Sequence, residues 1–353
     1  MLYEDESAPV SINFPSGGVE CWCDSYMFAE WDKQGNKFYP FSSDGSSRPV
    51  YKSSFNILAI KNKASEEETT WINFRNGIND PSLIVKIQTQ DDAKTGLSSV
   101  HRARFLEALA ARIPAERFHF NKRLVELESG TTAALLLRFD DGTTEEVDAL
   151  IGCDGIRSKC RQLMLQRQSV SEDLLFTNKY VYRGLVAMER ARSVLGDKLS
   201  ENSQMYLGPG GHVLTYPIEG GDVLNVVAFR DKCDRALEDV DLWALFDMRP
   251  IESYYKGFIA LLGDAAHAST PHQGAGAGQA LEDALVLASL LDDESVRCVS
   301  DIPAALKAYS QTQKDRSQKA VATSRAVGDT YACRGPAGSD IEGIRAELLQ
   351  QFQ

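Results

Sequence analysis

Gly263-Asp264-Ala265-Ala266-His267-Ala268-Ser269-Thr270-Pro271-His272-Gln273-Gly274-Ala275-Gly276-Ala277-Gly278 is the stretch on which the reading of this chain turns. It follows Phe258 to Leu262, an apolar run that reads as a buried strand. A carboxylate just past a buried strand sits where open α/β sheets bind ligands. The glycines behind Pro271 open a strongly apolar helix, and a bare helix N-terminus attracts negative charge. Upstream, a second segment has the same design. Val147 to Ile151 reads as a buried strand and runs into Gly152-Cys153-Asp154-Gly155-Ile156-Arg157-Ser158. Together the two describe a site for a long, polar, anionic cofactor with a flat ring.

The rest of the chain supplies the frame. Ser99 caps a predicted helix whose Phe105, Leu106, Leu109, Ala110 and Ile113 recur at helical spacing, and Pro114 ends it. Leu124 to Leu127 reads as a strand. A hairpin follows, with Ala133 to Phe139, the turn Asp140-Asp141-Gly142-Thr143, and Glu145 to Ile151. Between 178 and 229 the pattern is β: Lys179 to Met188, Gln204 to Leu207, His212 to Ile218 and Val223 to Phe229, with the turn Glu219-Gly220-Gly221-Asp222 before the last. From Gln279 the chain reads as helical, with an apolar face of Leu281, Ala284, Leu285, Ala288 and Leu291, then a longer, more charged helix from Ala304 to Arg325. Residues 1–95 hold short apolar pieces, among them Phe55 to Ile60 and Leu83 to Ile87, and a charged run from Lys63 to Thr70.

Composition narrows the function classes. The 353 residues suit one large or two medium domains, and 43% apolar with 25% charged residues is ordinary for a globular protein. A net charge of −12 argues against nucleic acid or an anionic membrane as partner. No apolar run approaches the ~20 residues of a membrane span, and the start lacks the pattern of a secretion signal. The seven cysteines (21, 23, 153, 160, 233, 298, 333) show no zinc-ribbon spacing and read as reduced thiols of a cytoplasmic protein. His267 and His272 lack a metal-ligand pattern, so no metal is expected. No nucleophile-elbow serine stands near Asp264 and His267, which argues against a hydrolase.

The two aspartate segments resemble the second and third fingerprints of the FAD-dependent aromatic hydroxylases, the single-component flavoprotein monooxygenases. The likeness is to the salicylate-hydroxylase-like branch, which includes fungal enzymes acting on phenolic polyketides. Val100-His101-Arg102, Tyr182-Arg183-Gly184-Leu185 and Leu214-Thr215-Tyr216-Pro217-Ile218 match the same branch in family order, from about Ser98 to about Arg334. The resemblance implies an α/β fold (an α+β mix): an incomplete Rossmann-like FAD domain with an inserted antiparallel substrate sheet and C-terminal helices. It divides the chain into a partial N-terminal segment (1–95), a first FAD-binding part (96–165), a substrate-binding β-sheet domain (166–255), and a second FAD-binding part with the C-terminal helices (256–353).

Residue roles follow from the same resemblance. Asp264 holds the ribityl chain of FAD, a task that suits a short carboxylate facing a polyol; the plain alternative is a turn aspartate. Gly274, Gly276, Ala277 and Gly278 bring backbone amides to the flavin ring, whose reduced form carries charge there, with Pro271 a further cofactor-binding residue ahead of them; the alternative is a flexible loop. Asp154 and Gly155 serve the FAD pyrophosphate and the nicotinamide cofactor, with Arg157 and Arg161 adding charge; the alternative is a tight turn. Arg102 reaches the flavin, while Arg104 points to solvent. Arg183, in an otherwise apolar strand, needs an anionic partner if buried, and with Tyr216, read as lying in the adjacent strand, it binds a substrate phenolate. The alternatives are a sheet-edge salt bridge and a core tyrosine.

The implied activity is monooxygenation of a small phenolic substrate with O2, FAD as cofactor and NAD(P)H as co-substrate, by a monomer or homodimer. The halogenase and membrane-epoxidase branches lack support, since their tryptophan-rich motif and anchor are missing. Two departures from the family pattern stand out. Gly-x-Gly-x-x-Gly, which holds the ADP pyrophosphate, occurs nowhere in the sequence, and Glu4 or Glu6 are at most remnants of the adenosine-side acid. The stretch Arg230 to Trp243 is also short. The sequence therefore suggests a family member lacking its amino-terminal unit and part of its middle, as an incomplete gene model, a splice form or a decayed paralogue. The alternative function is a chain with weak or no FAD binding and no catalysis.

Overall fold

The computed structural model describes strands at residues 10–12, 19–23, 30–31, 38–39 and 67–69, and then 71–78, 80–88, 97–99, 106, 109–129, 135–231 and 241–351. Arg102, Arg104, Phe105, Glu4, Glu6 and the Phe55 to Ile60 piece lie outside the described residues. The chain divides into two compact units. One comprises Met1–Asn56, Leu109–Leu175 and Phe246–Ala322; the other Ile57–Ala108, Phe176–Leu245 and Thr323–Gln353. These boundaries depart from those read in the sequence. Residues 96–108 and 323–353 go with the sheet-bearing second unit, and 166–175 and 246–255 with the first.

The first unit is organised by a six-stranded sheet in the order Tyr255–Lys256, Ile259–Leu261, Ala149–Cys153, Val19–Cys23, Val10–Ile12, Phe118–His119. Three of its four inner strands are parallel, with Ile151 opposite both Ala260 and Cys21, and Val10–Ile12 runs antiparallel to Val19–Cys23. Ala149–Cys153 is buried throughout, as expected of a strand covered on both faces. The sequence reading ran one strand from Glu145 to Ile151. The chain instead changes sheets at Asp148: Thr144–Val147 pairs with Leu135–Phe139 in a three-stranded meander, and Ala149 begins the parallel strand. The expected 140–143 turn closes through Gly142 N–H to Phe139 O and Phe139 N–H to Thr143 O.

Short helices follow the two central strands. Lys159–Met164 comes after Ala149–Cys153, and Asp264–His267 after Ile259–Leu261. The first packs so tightly that a Cβ on Gly152 would lie 2.5 Å from Cys160 Cβ, which excludes any side chain there. Helix Gly276–Leu291 buries Asp283, Leu287 and Leu291, while Leu285 is exposed. The expected face holds at Ala288 and Leu291, which meet the core, and fails at Leu285, because this helix is apolar on most sides and hydropathy carries little directional information. The long helix Ile302–Tyr331 outruns the expected end at Arg325. Its first half buries Ile302, Ala305, Leu306 and Tyr309 in the core that also holds Leu150, Ile151, Leu261 and Leu287.

The second unit is built on a seven-stranded sheet ordered Asp241–Met248, Leu174–Ala187, Val223–Arg230, Gly211–Ile218, Ser203–Gly208, Trp71–Asn76, Leu83–Gln88. The four strands expected between 178 and 229 are all present. The sheet is mixed rather than wholly antiparallel, because Ser203–Gly208 runs parallel to Trp71–Asn76. Met188, read as strand, starts the helix Met188–Leu195, which Gly196 closes at φ +79. Ser99 ends a strand, Leu97–Ser99, and the start of the expected helix after it lies outside the described residues. Leu106, Leu109 and Ala110 are helical, and the chain has left that helix before Pro114. Helix Ile341–Gln351 covers one end of the sheet, placing Ile344 and Leu348 against Phe74, Val85 and Leu207. A clasp of alternating charge fixes the last turn of the long helix: buried Lys179 reaches Asp329 at 2.9 Å, and Arg334 pairs with both Asp329 and Asp231.

Candidate functional site

The parallel register sets Gly152 beside Leu261. The turns carrying Asp154 and Asp264 therefore leave the same end of the sheet on neighbouring strands, where α/β sheets bind ligands. Asp154 faces its own helix. Its carboxylate accepts from Ser158 Oγ and from Cys160 N–H at 2.9 Å, and Ser158 Oγ in turn accepts from Arg161 N–H at 2.8 Å. These bonds cap the Lys159–Met164 helix and favour the ionised form, against the burial that pushes the carboxyl pKa up. Gly155 is buried beside it at φ +73.

Asp264 is different. It is half-buried, and among the described residues nothing hydrogen-bonds to its carboxylate. Loss of water raises its pKa, with the nearby His267 opposing. Oδ1 lies 4.0 Å from where a Cβ of Gly276 would stand, so the carboxylate looks onto the first residue of the Gly276–Leu291 helix. That helix has no side-chain cap, since Ala275 occupies the capping position. Its first amides are thus available to a ligand. Pro271 starts the 3-10 turn Pro271–Gln273, and Gly274 ends it in the left-handed region at φ +63. Gly274, Ala277 and Gly278 are exposed, and Cβ atoms added at Gly274 and Gly278 would meet nothing within 4 Å. A half-buried acceptor beside a row of free donors suits a ligand that offers hydroxyls on one side and a carbonyl or anionic edge on the other.

Two residues behind this mouth were given no such role from the sequence. Asp283, fully buried in the apolar helix, accepts from Gly263 N–H at 2.9 Å, shares a 2.6 Å bond with His267 Nε2, and accepts from Gln313 Nε2 at 3.1 Å. The available signal was its phase: Asp283 lies on the stripe of Leu287 and Leu291, where a lone acid calls for partners. Arg161 corrects an expectation. It does not face a ligand phosphate; it is buried, bonding Asp173 at 3.1 Å, Ala266 O at 2.9 Å, Ala265 O at 3.3 Å and Arg249 O at 2.8 Å. Arg157 is exposed.

In the second unit the premise of a buried Arg183 fails, because the residue is exposed. Nor is Tyr216 in the next strand: Val223–Arg230 lies between the two. Register still sets them on one sheet face, since Arg183 pairs with Val227, which pairs with Leu214, two residues from Tyr216. Asn225, opposite Tyr216, shares that face. Tyr216 is half-buried.

Residues 230–324, which include both Asp264 and Asp283, match a family described as FAD binding domain. The chain is 38% identical over 314 residues to 6-methylsalicylate 1-monooxygenase atA of Aspergillus terreus, covering 78% of this chain and 69% of that protein. The chain belongs to the salicylate-hydroxylase-type FAD-dependent monooxygenases. A salicylate hydroxylase of Pseudomonas putida is 33% identical, with 83% of this chain and 75% of that enzyme aligned. A solved salicylate hydroxylase substrate complex superposes with a TM-score of 0.73 at 31% identity, covering 84% of this chain and 85% of the other. In this flavoprotein monooxygenase, no helix among the described residues is long and apolar enough to cross a membrane.

Proposed function

We propose that this monooxygenase hydroxylates a small phenolic aromatic of the salicylate class, with NAD(P)H as reductant and O2 as oxygen source. Overall, one oxygen atom of O2 enters the ring as hydroxyl in place of what that carbon carried, a proton or, at the carboxylate-bearing carbon, CO2; the other oxygen leaves as water, and the nicotinamide is oxidised. Bound FAD supplies the chemistry that passes electrons to O2. The carrying observation for the phenolic substrate is the sheet face shared by exposed Arg183 and half-buried Tyr216. A guanidinium stabilises a phenolate and lowers the phenol's pKa, which enriches the ring in electrons. Tyr216 O–H donates to the same oxygen. The relatives' names, 6-methylsalicylate 1-monooxygenase and salicylate hydroxylase, support a hydroxybenzoate over a neutral arene.

On the cofactor side, the residues present fit FAD. The unpartnered Asp264 carboxylate accepts from ribityl hydroxyls, and the uncapped amides near Gly276, Ala277 and Gly278 receive the electron-rich edge of the ring. Gly155 and the Asp154 turn supply a backbone surface for the pyrophosphate and the nicotinamide, while the Asp154 carboxylate itself holds the turn. Arg102 is assigned to the flavin on resemblance. The test measures NAD(P)H oxidation and hydroxylated product with salicylate and 6-methylsalicylate, alongside the visible flavin spectrum after desalting. We expect Asp264→Ala to lose the flavin bands and Arg183→Ala to keep them while phenol turnover falls about 100-fold, the scale of a lost charged contact. Retention of flavin by Asp264→Ala removes the cofactor reading; undiminished phenol turnover by Arg183→Ala removes the substrate reading.

A further inference from the structure

We infer that Asp283, working through His267 and Gln313, is the positioning residue that aims Asp264 at its ligand. This rests on the reading of Asp264 as the cofactor's carboxylate. The geometry is that of a buried hub with three donors. Asp283 Oδ2 receives Gly263 N–H at 2.9 Å and pairs with His267 Nε2 at 2.6 Å, and Oδ1 receives Gln313 Nε2 at 3.1 Å. Gly263 and His267 bracket Asp264 at either end of the Asp264–His267 helix, so one carboxylate holds both ends of the segment that carries the ligand contact. Gly263 takes φ +57 and ψ −138, a conformation reserved for glycine, and a Cβ there would come within 3.1 Å of Ala280 Cβ. Such a backbone stays in place only when its surroundings over-determine it, and the amide bond to Asp283 is part of that constraint.

The hub also ties three elements together. Asp283 and Ala280 belong to Gly276–Leu291, the helix whose mouth faces Asp264, and Gln313 comes from Ile302–Tyr331. Asp264 and the free amides of the helix mouth are therefore held in one fixed relation from beneath. Tyr309, fully buried and donating to Leu261 O, has its hydroxyl pKa pushed well up by burial and by the negative charge of Asp283. Tyr254 closes the other side, its ring centroid 5.8 Å from that of His267 and its hydroxyl on Ser317. None of these groups reaches the surface to touch a ligand itself.

The experiment titrates FAD onto flavin-free protein for wild type, Asp264→Ala, Asp283→Asn, Asp283→Ala and Gln313→Leu, and records the melting temperature of each flavin-free protein. An asparagine can still accept from Gly263 and His267, and Gln313 can turn its amide to accept from the new NH2 group. We expect Asp283→Asn to bind FAD within about threefold of wild type, Asp283→Ala at least tenfold more weakly, and Gln313→Leu in between. Should Asp283→Ala fail to fold, Gln313→Leu carries the test: weaker FAD binding at an unchanged melting temperature supports positioning. A purely structural hub lowers melting temperatures and leaves FAD affinity unmoved in every folded variant, and that result overturns the proposal. If Asp264→Ala binds FAD as wild type does, the cofactor reading fails instead, independently of Asp283.

Discussion

Two turns leave neighbouring parallel strands at the same end of a sheet, each carrying an aspartate, and they use it in opposite ways. Asp154 turns back onto its own helix, where Ser158 and Cys160 occupy its oxygens. Asp264 has no hydrogen-bond partner among the described residues and looks onto the uncapped start of the Gly276–Leu291 helix. The difference lies in what each turn is given from elsewhere. The Asp154 turn satisfies itself with residues four and six positions on. The Asp264 turn is held from behind, by Asp283 on its amide and histidine and by Arg161 on its carbonyls, so that Asp264 remains open. A self-capped carboxylate stabilises the fold, whereas an open one, desolvated at a cost, is free to accept from a ligand.

Arg161 links the two turns, since its helix begins at the Ser158 cap, whose hydroxyl donates to Asp154, and its guanidinium ends on Ala265 and Ala266. Breaking that link gives the largest expected effect. Arg161→Leu leaves Asp173 short of a buried partner and strands the carbonyls, and it should cost about 3–5 kcal/mol in urea unfolding. A loss below about 1 kcal/mol would show that the two turns stand independently. Asp154→Ala sharpens the contrast at a smaller scale. It should remove about 1–2 kcal/mol of stability, as the loss of a helix cap does, yet weaken FAD binding less than Asp264→Ala. An equal or greater loss of FAD affinity would make both aspartates ligand contacts.

The smallest effect is a matter of pH. Burial holds the Asp264 carboxyl above its ordinary value. The folded, flavin-free protein therefore binds that proton more readily than the unfolded chain, and stability falls as pH rises through the window above about 4. Asp264→Asn lacks this liability. It should melt above wild type at pH 7, with the gap closing as pH drops below about 4, where both side chains are neutral. A gap that persists or widens in acid would mean that the Asp264 charge is not the source of the cost.

Much of this site was legible before any fold was seen. Both strand–turn segments, the glycines after Pro271 and the β pattern between 178 and 229 stand close to where sequence periodicity placed them. Such features depend on backbone preference within a few residues, which a linear sequence carries. What escaped was side-chain partnership. The resemblance implied that Arg161 adds charge at the pyrophosphate turn; its acceptors Ala265 and Ala266 are 104 and 105 positions away, beyond the reach of a local motif. Asp283 passed as one charge in an apolar helix because its partners Gly263 and Gln313 lie 20 and 30 positions off. Arg183 sits among apolar neighbours in the sequence, while the strand is exposed on both faces from Arg183 to Leu185.

The amino-acid sequence by itself determined that two buried strands would end in aspartates and that an uncapped, glycine-opened helix would follow the second. Those are local properties of chain stiffness, hydropathy and the missing Cβ. Tertiary structure alone decided which aspartate is closed and which is open. That choice depends on the donors and acceptors brought in by distant segments, and a buried polar group takes whichever partners the fold sets within reach.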